Sequence, residues 1–291
     1  MPHSALIFGC GYVGKRVAEF LREAGAQVHA VTRSSATADE FAAVGFQPLV
    51  ADVTDPATLN NLPTVDTVLF AVGYDRSSDQ SIDEVCTGGV KNVLNALPEK
   101  TGRFLYISTT GVYGDAGGEW IDEETRPNPS RAGGIASLAA EELIRASKFA
   151  DRAAILRLAG IYGPNRLPYL KKLQAAEPIE APQAGYLNLI HVHDAARITM
   201  ALAEPAHEIQ GPVTYCVSDG HPVVRGEYYR EAARLLGAPA PTFAAPPAES
   251  PRAARAAADK RVSNRRVLEA VGIELSYPTY KEGLASIVRC Y

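Results

Sequence analysis

Apolar residues fall in short unbroken runs along the first half of the chain, and helical periodicity fills the intervals between them. Ser4-Ala5-Leu6-Ile7-Phe8 predicts a buried strand. Val13, Val17, Phe20, Leu21 and Ala24 recur at helical spacing and stop at Gly25, a residue suited to a C-cap. Further strands are predicted at 28–32, 48–50, 67–72, 104–108 and 154–158. Helices are predicted at 35–44, around Val85, Val90, Val93, Leu94 and Leu97, and at 137–149. Unalternated apolar strands separated by helices predict an α/β fold with a doubly wound parallel sheet covered on both faces. After about Gly163 the pattern loosens at Pro164, Pro168, Pro178 and Pro182. Residues 238–258 are Ala/Pro-rich, and periodicity resumes at Val262, Val267, Leu268 and Val271. That stretch therefore predicts a surface excursion within a second lobe rather than a linker. The expected organisation is a wound domain at 1–163, to which 185–218 return, and a small α/β lobe made of 164–184 and 219–291.

Composition narrows the class. The 291 residues, 46% hydrophobic and 21% charged, are those of a globular chain and not a disordered one. Twenty-nine Lys and Arg against 33 Asp and Glu leave a net charge of −4, which gives no electrostatic reason to bind nucleic acid. No apolar run reaches the roughly 20 residues of a membrane helix. The first run, 5–8, is too short for a signal-peptide core and leads straight into a glycine motif. Cys10, Cys86, Cys216 and Cys290 are scattered without a C-x-x-C pair, which fits reduced thiols in a cytoplasmic protein.

The glycine motif is Gly9-Cys10-Gly11-Tyr12-Val13-Gly14, a G-x-G-x-x-G that follows a strand and opens a helix. That context predicts a Rossmann-type dinucleotide site. Gly9 suits the tight turn, Gly11 a close backbone approach to a pyrophosphate, and Gly14 close helix packing. Tyr12, Val13 and Gly14 present amides at the helix N-terminus. The second strand ends in Thr32-Arg33-Ser34-Ser35, without the acid that would bind a ribose 2′-hydroxyl. Arg33 can pair with a 2′-phosphate while the Ser34 and Ser35 hydroxyls add donors, and Thr32 joins the expected cofactor contacts, so NADP(H) is expected over NAD(H). The alternative is a solvated loop arginine. Arg16 is a possible assistant. Asp52-Val53 follow the third strand, where Asp52 meets an adenine amine or serves only as a turn residue. Ala71, Val72 and Gly73, after the fourth strand, complete the expected cofactor contacts.

Several segments in order resemble the extended short-chain dehydrogenase/reductase family, which contains nucleotide-sugar epimerases and dehydratases. They are the glycine loop, Ile107-Ser108-Thr109-Thr110-Gly111-Val112-Tyr113-Gly114, Leu138-Ala139-Ala140-Glu141-Glu142-Leu143, Leu156-Arg157-Leu158-Ala159-Gly160-Ile161-Tyr162-Gly163-Pro164 and Ile190-His191-Val192-His193-Asp194-Ala195-Ala196. Val262-Ser263-Asn264 with Gly272 and Tyr277-Pro278 extend the likeness over nearly the whole chain. The resemblance implies a dinucleotide-binding domain, a substrate lobe and a homodimer formed through a helix pair. It also implies proton transfer by a Tyr-x-x-x-Lys pair, because a tyrosine with an ordinary pKa of about 10 needs a nearby cation to act as a base at neutral pH.

That pair is missing. Gly133 stands at the tyrosine position and Ser137 at the lysine position, whereas Thr109 retains the hydroxyl that polarises a substrate oxygen. Thr110-Gly111 replaces the Asp-Glu of dehydratases. Tyr277 to Lys281 spells Y-x-x-x-K, but it contains Pro278 and lies far from the fifth strand in sequence. Substitute proton donors are Tyr74, beyond the fourth strand, and Tyr113, whose ring mostly packs in the family. Lys91 and Arg131 are weaker candidates. Arg157, Asn165 and Arg166 lie near a loop that lines nicotinamide and substrate in the family, and Arg166 with Asn165 would hold an anionic substrate. His191, His193 and Asp194 do not make a complete metal site, and no metal is expected. Two readings follow. One is an epimerase/dehydratase-like oxidoreductase acting by hydride transfer on a small carbonyl or sugar-nucleotide-type substrate, with a non-standard acid. The other is a catalytically silent dinucleotide-binding sensor.

Overall fold

The computed structural model describes residues 4–204, 207–247, 250, 253 and 257–288. Cys290 and several positions of the Ala/Pro-rich stretch (248–249, 251–252 and 254–256) lie outside the described residues.

The strands β1 (Ser4–Phe8), β2 (Gln27–Thr32), β3 (Gln47–Val50), β4 (Thr67–Phe70), β5 (Arg103–Thr109), β6 (Ala153–Leu158) and β7 (Val213–Val217) form one sheet. Its order is β7-β6-β5-β4-β1-β2-β3. β1 pairs in parallel with β2 and β4, so Ile7 lies opposite Ala30 on one side and Leu69 on the other. β2 with β3 and β4 with β5 are also parallel. Every residue of β4 and β6 is buried, which is why those strands read as continuous apolar runs. β3, at the sheet edge, has no buried residue.

Helices flank the sheet: α1 (Gly14–Glu23), α2 (Ser35–Ala43), α3 (Gly89–Ala96) and α4 (Ala132–Arg145). α1 buries Gly14, Val17, Ala18 and Leu21, the stripe expected from its period. A π-turn, Glu84–Gly88, leads into α3. A Cβ on Gly89 would stand 2.9 Å from Val53 Cγ2, so this glycine lets α3 approach the sheet. The core joins Phe8, Phe70, Phe104, Tyr106 and Ile155 to Val90, Val93, Ala140 and Ile144. Periodicity places a helix at 137–149, whereas α4 starts five residues earlier and stops at Arg145. Gly133 and Gly134 lower local helix propensity, and burial of Gly134 and Ala136 overrides it. Phe149, beyond the helix, stacks on Phe104.

The chain divides into two compact units. The first comprises Met1–Val112, Ala132–Arg157 and Ala196–Tyr215. The second comprises Tyr113–Arg131, Leu158–Ala195 and Cys216–Tyr291. The second unit has its own core of Tyr162, Leu173, Ile179, Leu189, Tyr228, Ala232, Leu284 and Ile287. Short strand pairs tie it together. Gly160–Tyr162 runs parallel to Leu189–His191, and Trp120–Ile121 runs parallel to Arg261–Val262. Among the described residues, no helix is long and apolar enough to cross a membrane.

Candidate functional site

The strand order reverses between β1 and β4, so a switch point lies beyond their C-terminal ends. The Gly9–Gly14 loop leaves β1 there, and Ala71-Val72-Gly73 leave β4. The two are joined by the Ala71 amide donating to Phe8 O (2.8 Å). Gly9 has φ +86, and a Cβ on it would lie 2.5 Å from the Ala71 carbonyl carbon and oxygen. A Cβ on Gly14 would collide with Gly9 O. Packing therefore explains these two glycines. Gly11 differs: a Cβ there would meet nothing within 4 Å. α1 begins behind Val13 with no side-chain cap and no acid in its first turn. Open space at Gly11 beside uncapped amides fits the pyrophosphate of a dinucleotide. Arg16 turns back, donating to Tyr12 O (2.6 Å) and lying 4.5 Å over the Tyr12 ring. Burial pushes the Cys10 thiol up to about 12, which keeps it protonated at neutral pH.

At the end of β2, Ser34 caps α2 by accepting from the Thr37 amide (3.3 Å), and its own amide donates to Thr32 Oγ1 (3.2 Å). Both hydroxyl oxygens act as acceptors, which leaves their protons to donate. Arg33 is exposed between them in sequence. The Asp75 carboxyl sits below the usual carboxylate range, chiefly because the Ser77 hydroxyl and amide bond to it, with the Arg33 charge contributing. Asp52 forms a turn: its Oδ1 accepts from the Thr54 amide (2.9 Å) and hydroxyl (2.7 Å). Val53 is core, with its carbonyl held by Asn92 Nδ2 (2.9 Å).

Thr109 ends β5. Its Oγ1 accepts from the Gly111 amide (3.0 Å), which again leaves the hydroxyl proton to donate. On α4, a Cβ added at Gly133 would make an ordinary contact with Ile82 Cδ1 (3.5 Å), so there is room for a side chain to begin. Ser137 is buried on α4. Burial holds the Tyr106 phenol far above its ordinary range, with Cys86 and Glu141 adding to the shift, so this buried tyrosine is no base.

Below Thr109 lies an ion pair that sequence reasoning missed. Arg157 on β6 grips Glu141 on α4 through two nitrogens, with Nη2 2.5 Å from Oε2 and Nε 3.0 Å from Oε1. Ser108 Oγ donates to the same Oε1 (2.6 Å). Both charged residues are buried, Glu141 at 0% and Arg157 at 3% exposure. Arg157 is thus a core group and not part of the substrate loop. The available signal was a charge inside an apolar strand, which requires a partner.

The remaining candidates are more constrained. The Tyr74 hydroxyl donates to Gln80 O (3.1 Å) within its own loop. Tyr113 is buried in the second unit, its hydroxyl 3.1 Å from Cys216 Sγ. Asn165 adopts φ +62 in a turn closed by the Arg166 amide donating to Gly163 O (3.0 Å), and both side chains are exposed. Pro164-Asn165 is the pairing such a turn favours. Lys91 is exposed on α3. His191 is enclosed by Tyr162 and Tyr277, at ring distances of 5.3 and 3.8 Å. Asp194 accepts from the Ser276 (2.9 Å) and Tyr277 (2.8 Å) amides, so the Tyr277 segment is a packing element. Among the described residues, no group of three or more His, Cys, Asp or Glu side chains is placed to hold a metal.

Comparison with known proteins agrees with this architecture. The chain is 28% identical over 282 residues to protein YeeZ of Escherichia coli (strain K12), covering 94% of this chain and 95% of that protein. A solved, functionally unknown conserved protein from Silicibacter pomeroyi is 27% identical, with 99% of both chains covered and a TM-score of 0.77. UDP-glucose 4-epimerase from Bifidobacterium longum, solved with NAD+ and UDP, shares the fold at 19% identity and a TM-score of 0.80 (98% of this chain, 97% of that one). The family model described as NAD dependent epimerase/dehydratase family matches residues 5–217, the span that holds the glycine cradle, Thr109 and all of the seven-stranded sheet except Ser4, and the chain belongs to that family.

Proposed function

We propose that this chain is an NADP(H)-dependent oxidoreductase that transfers hydride to or from a small carbonyl or sugar-nucleotide-type substrate. The observation that carries the reading is Thr109, whose hydroxyl proton remains available at the end of β5, on the same sheet as a glycine cradle open at Gly11. Gly11 and the uncapped α1 amides, with Tyr12 and Val13, would take the pyrophosphate. Arg33 would pair with a 2′-phosphate, with Thr32 and Ser34 as donors, while Asp52 and Val53 border the adenine and Ala71, Val72 and Gly73 line the cofactor. The nicotinamide supplies or accepts the hydride when bound. Thr109 would hold the substrate oxygen by donating a hydrogen bond. Tyr74 would serve as acid only after releasing Gln80 O, and Tyr113 only after leaving Cys216. In this reading the first unit binds the cofactor, and the second takes the substrate with Asn165 and Arg166. Without the tyrosine–lysine pair, rates about 10²–10⁴ below those of a complete site are expected.

A second reading, the silent sensor, draws on Gly133 and Ser137, because the cradle persists while the proton-transfer pair does not. Fluorescence titration with NADPH and NADH tests the cofactor assignment. Tighter NADPH binding that Arg33→Ala abolishes is expected, and equal affinities would overturn it. Single-turnover oxidation of bound NADPH against small carbonyls and sugar nucleotides then separates enzyme from sensor. Absence of any substrate-dependent oxidation favours the sensor.

A further inference from the structure

One side chain outside the expected cofactor contacts reaches into the turn that follows β3. Gln80 lies four residues before the π-turn that leads into α3, and its Nε2 donates to Thr54 Oγ1, 26 positions away in sequence. Thr54 in turn gives both its hydroxyl (2.7 Å) and its amide (2.9 Å) to Asp52 Oδ1. Gln80, Thr54 and Asp52 therefore form a side-chain relay within the first unit. Its direction follows from its protons. A threonine hydroxyl has one, and here it lies on Asp52, so the Gln80 group that faces Thr54 Oγ1 is the donor Nε2. Gln80 Oε1 is left buried with no hydrogen-bond partner among the described residues. A stranded buried acceptor is destabilising, and a leucine would fill the same space without it. The relay is what the glutamine supplies in return.

The relay acts on the carboxylate and not on the main chain of the turn, which other groups hold. The Asp52 amide donates to Thr58 Oγ1 (2.9 Å), the Asp55 amide to Asp52 O (3.0 Å) and Asn92 Nδ2 to Val53 O (2.9 Å). Asp52 is half-buried, both of its carboxylate bonds fall on Oδ1, and among the described residues Oδ2 has no hydrogen bond. That oxygen is a charged acceptor with a fixed direction, suited to an N–H of a ligand. The terminal torsion of an aspartate is broad, so the carboxylate keeps that direction only while Oδ1 is held. With Gln80 in place, the Thr54 hydroxyl cannot turn its proton away from Asp52.

We propose that Gln80 is a positioning residue for the cofactor's base: through Thr54 it holds Asp52 Oδ2 where the exocyclic amine of adenine donates, and so sets the preference for adenine over a base with a carbonyl at that position. The relay stands on its own hydrogen bonds; its assignment to a cofactor rests on the oxidoreductase reading.

Fluorescence titration of the full chain with NADPH and with its hypoxanthine analogue, in which a carbonyl replaces the adenine amine, tests it. Wild type is expected to bind NADPH about 10-fold or more tightly than the analogue, which turns an acceptor toward the carboxylate. Gln80→Leu should reduce that ratio about 2–10-fold by weakening NADPH alone. Thr54→Val should do the same, and Thr54→Ser, which keeps the hydroxyl, should keep the wild-type ratio. Combining Gln80→Leu with Thr54→Val should be no worse than Thr54→Val alone, because the two residues act in series. A ratio unchanged in Gln80→Leu, or a fall shared equally by both ligands, overturns the positioning role and leaves the oxidoreductase reading intact. Where wild type binds NADH more tightly than NADPH, NADH and its hypoxanthine analogue give the same test. Wild type that binds neither cofactor removes the oxidoreductase reading, and the positioning role with it.

Discussion

Alanine at Gly9 and alanine at Gly11 should fail in different ways. At Gly9 the new Cβ meets the Ala71 carbonyl group at 2.5 Å in a backbone with φ +86. A left-handed non-glycine residue costs about 1–2 kcal/mol, and forcing backbone apart adds about 1–3 kcal/mol. Together these give a loss of about 2–5 kcal/mol, a fall in Tm of roughly 3–8 °C for a chain of this size. At Gly11 the Cβ meets nothing within 4 Å, so stability should stay within about 0.5 kcal/mol. The same methyl would stand where a pyrophosphate approaches, and NADPH affinity should drop about 10–100-fold. Thermal melts and NADPH fluorescence titrations of both variants check the pair. Wild-type NADPH affinity in Gly11→Ala would refute the cofactor role of that glycine, and a wild-type Tm in Gly9→Ala would refute the packing argument.

Three further outcomes are expected. Glu141→Gln leaves the Arg157 guanidinium buried without its carboxylate and should cost about 3–5 kcal/mol in urea unfolding, whereas a loss under about 1 kcal/mol would mean that the pair is dispensable. Ser108→Ala removes the hydroxyl that donates to the buried Glu141 Oε1 (2.6 Å) and should cost about 1–3 kcal/mol in the same assay; an unchanged unfolding curve would contradict the bond. Burial raises the Asp219 carboxyl to about 7, with Oδ1 held by the His221 amide (2.9 Å) and Oδ2 lacking a hydrogen-bond partner among the described residues. The native state therefore keeps a proton that the unfolded chain releases near pH 4, so this group's contribution to stability declines between about pH 4 and pH 7 and is level above. The Tm of Asp219→Asn relative to wild type should rise across that window, and parallel pH profiles would exclude the effect.

Much of the sheet was legible because a strand buried on both faces must be apolar throughout, as β4 and β6 are. The glycine cradle was legible because its G-x-G-x-x-G spacing is local and Gly14 packs on Gly9 O, although the contact that requires Gly9 itself, with Ala71, comes from a distant strand end. α4 was legible only from Ser137 onward, since two glycines conceal its first turn from any propensity argument. Long-range partners were the least visible. Nothing in the spacing of Ser108, Glu141 and Arg157 announces that a crossover brings them to one point, although an arginine within Leu156-Arg157-Leu158 signals that some partner exists. Lys260, whose ammonium donates to Gly114 O, lies 146 positions beyond it, and a basic residue in a polar stretch reads as solvated until the backbone around it is seen. Local conformation follows from neighbouring residues, while charge pairing depends on which segments the topology makes adjacent.

The contact among Ser108, Glu141 and Arg157 also bears on how the first unit assembles. β5, α4 and β6 each bring one member of this contact, and none of the three can dock alone without taking a bare polar or charged group out of water. A partly assembled form with α4 in place and β6 still detached would leave the Glu141 carboxylate with only a 3.9 Å contact to Arg145 of its own helix, and the reverse would carry a naked guanidinium. Such half-formed states are raised in energy relative to both the open and the complete arrangement. The three segments should consequently gain and lose hydrogen-exchange protection together, as one cooperative block.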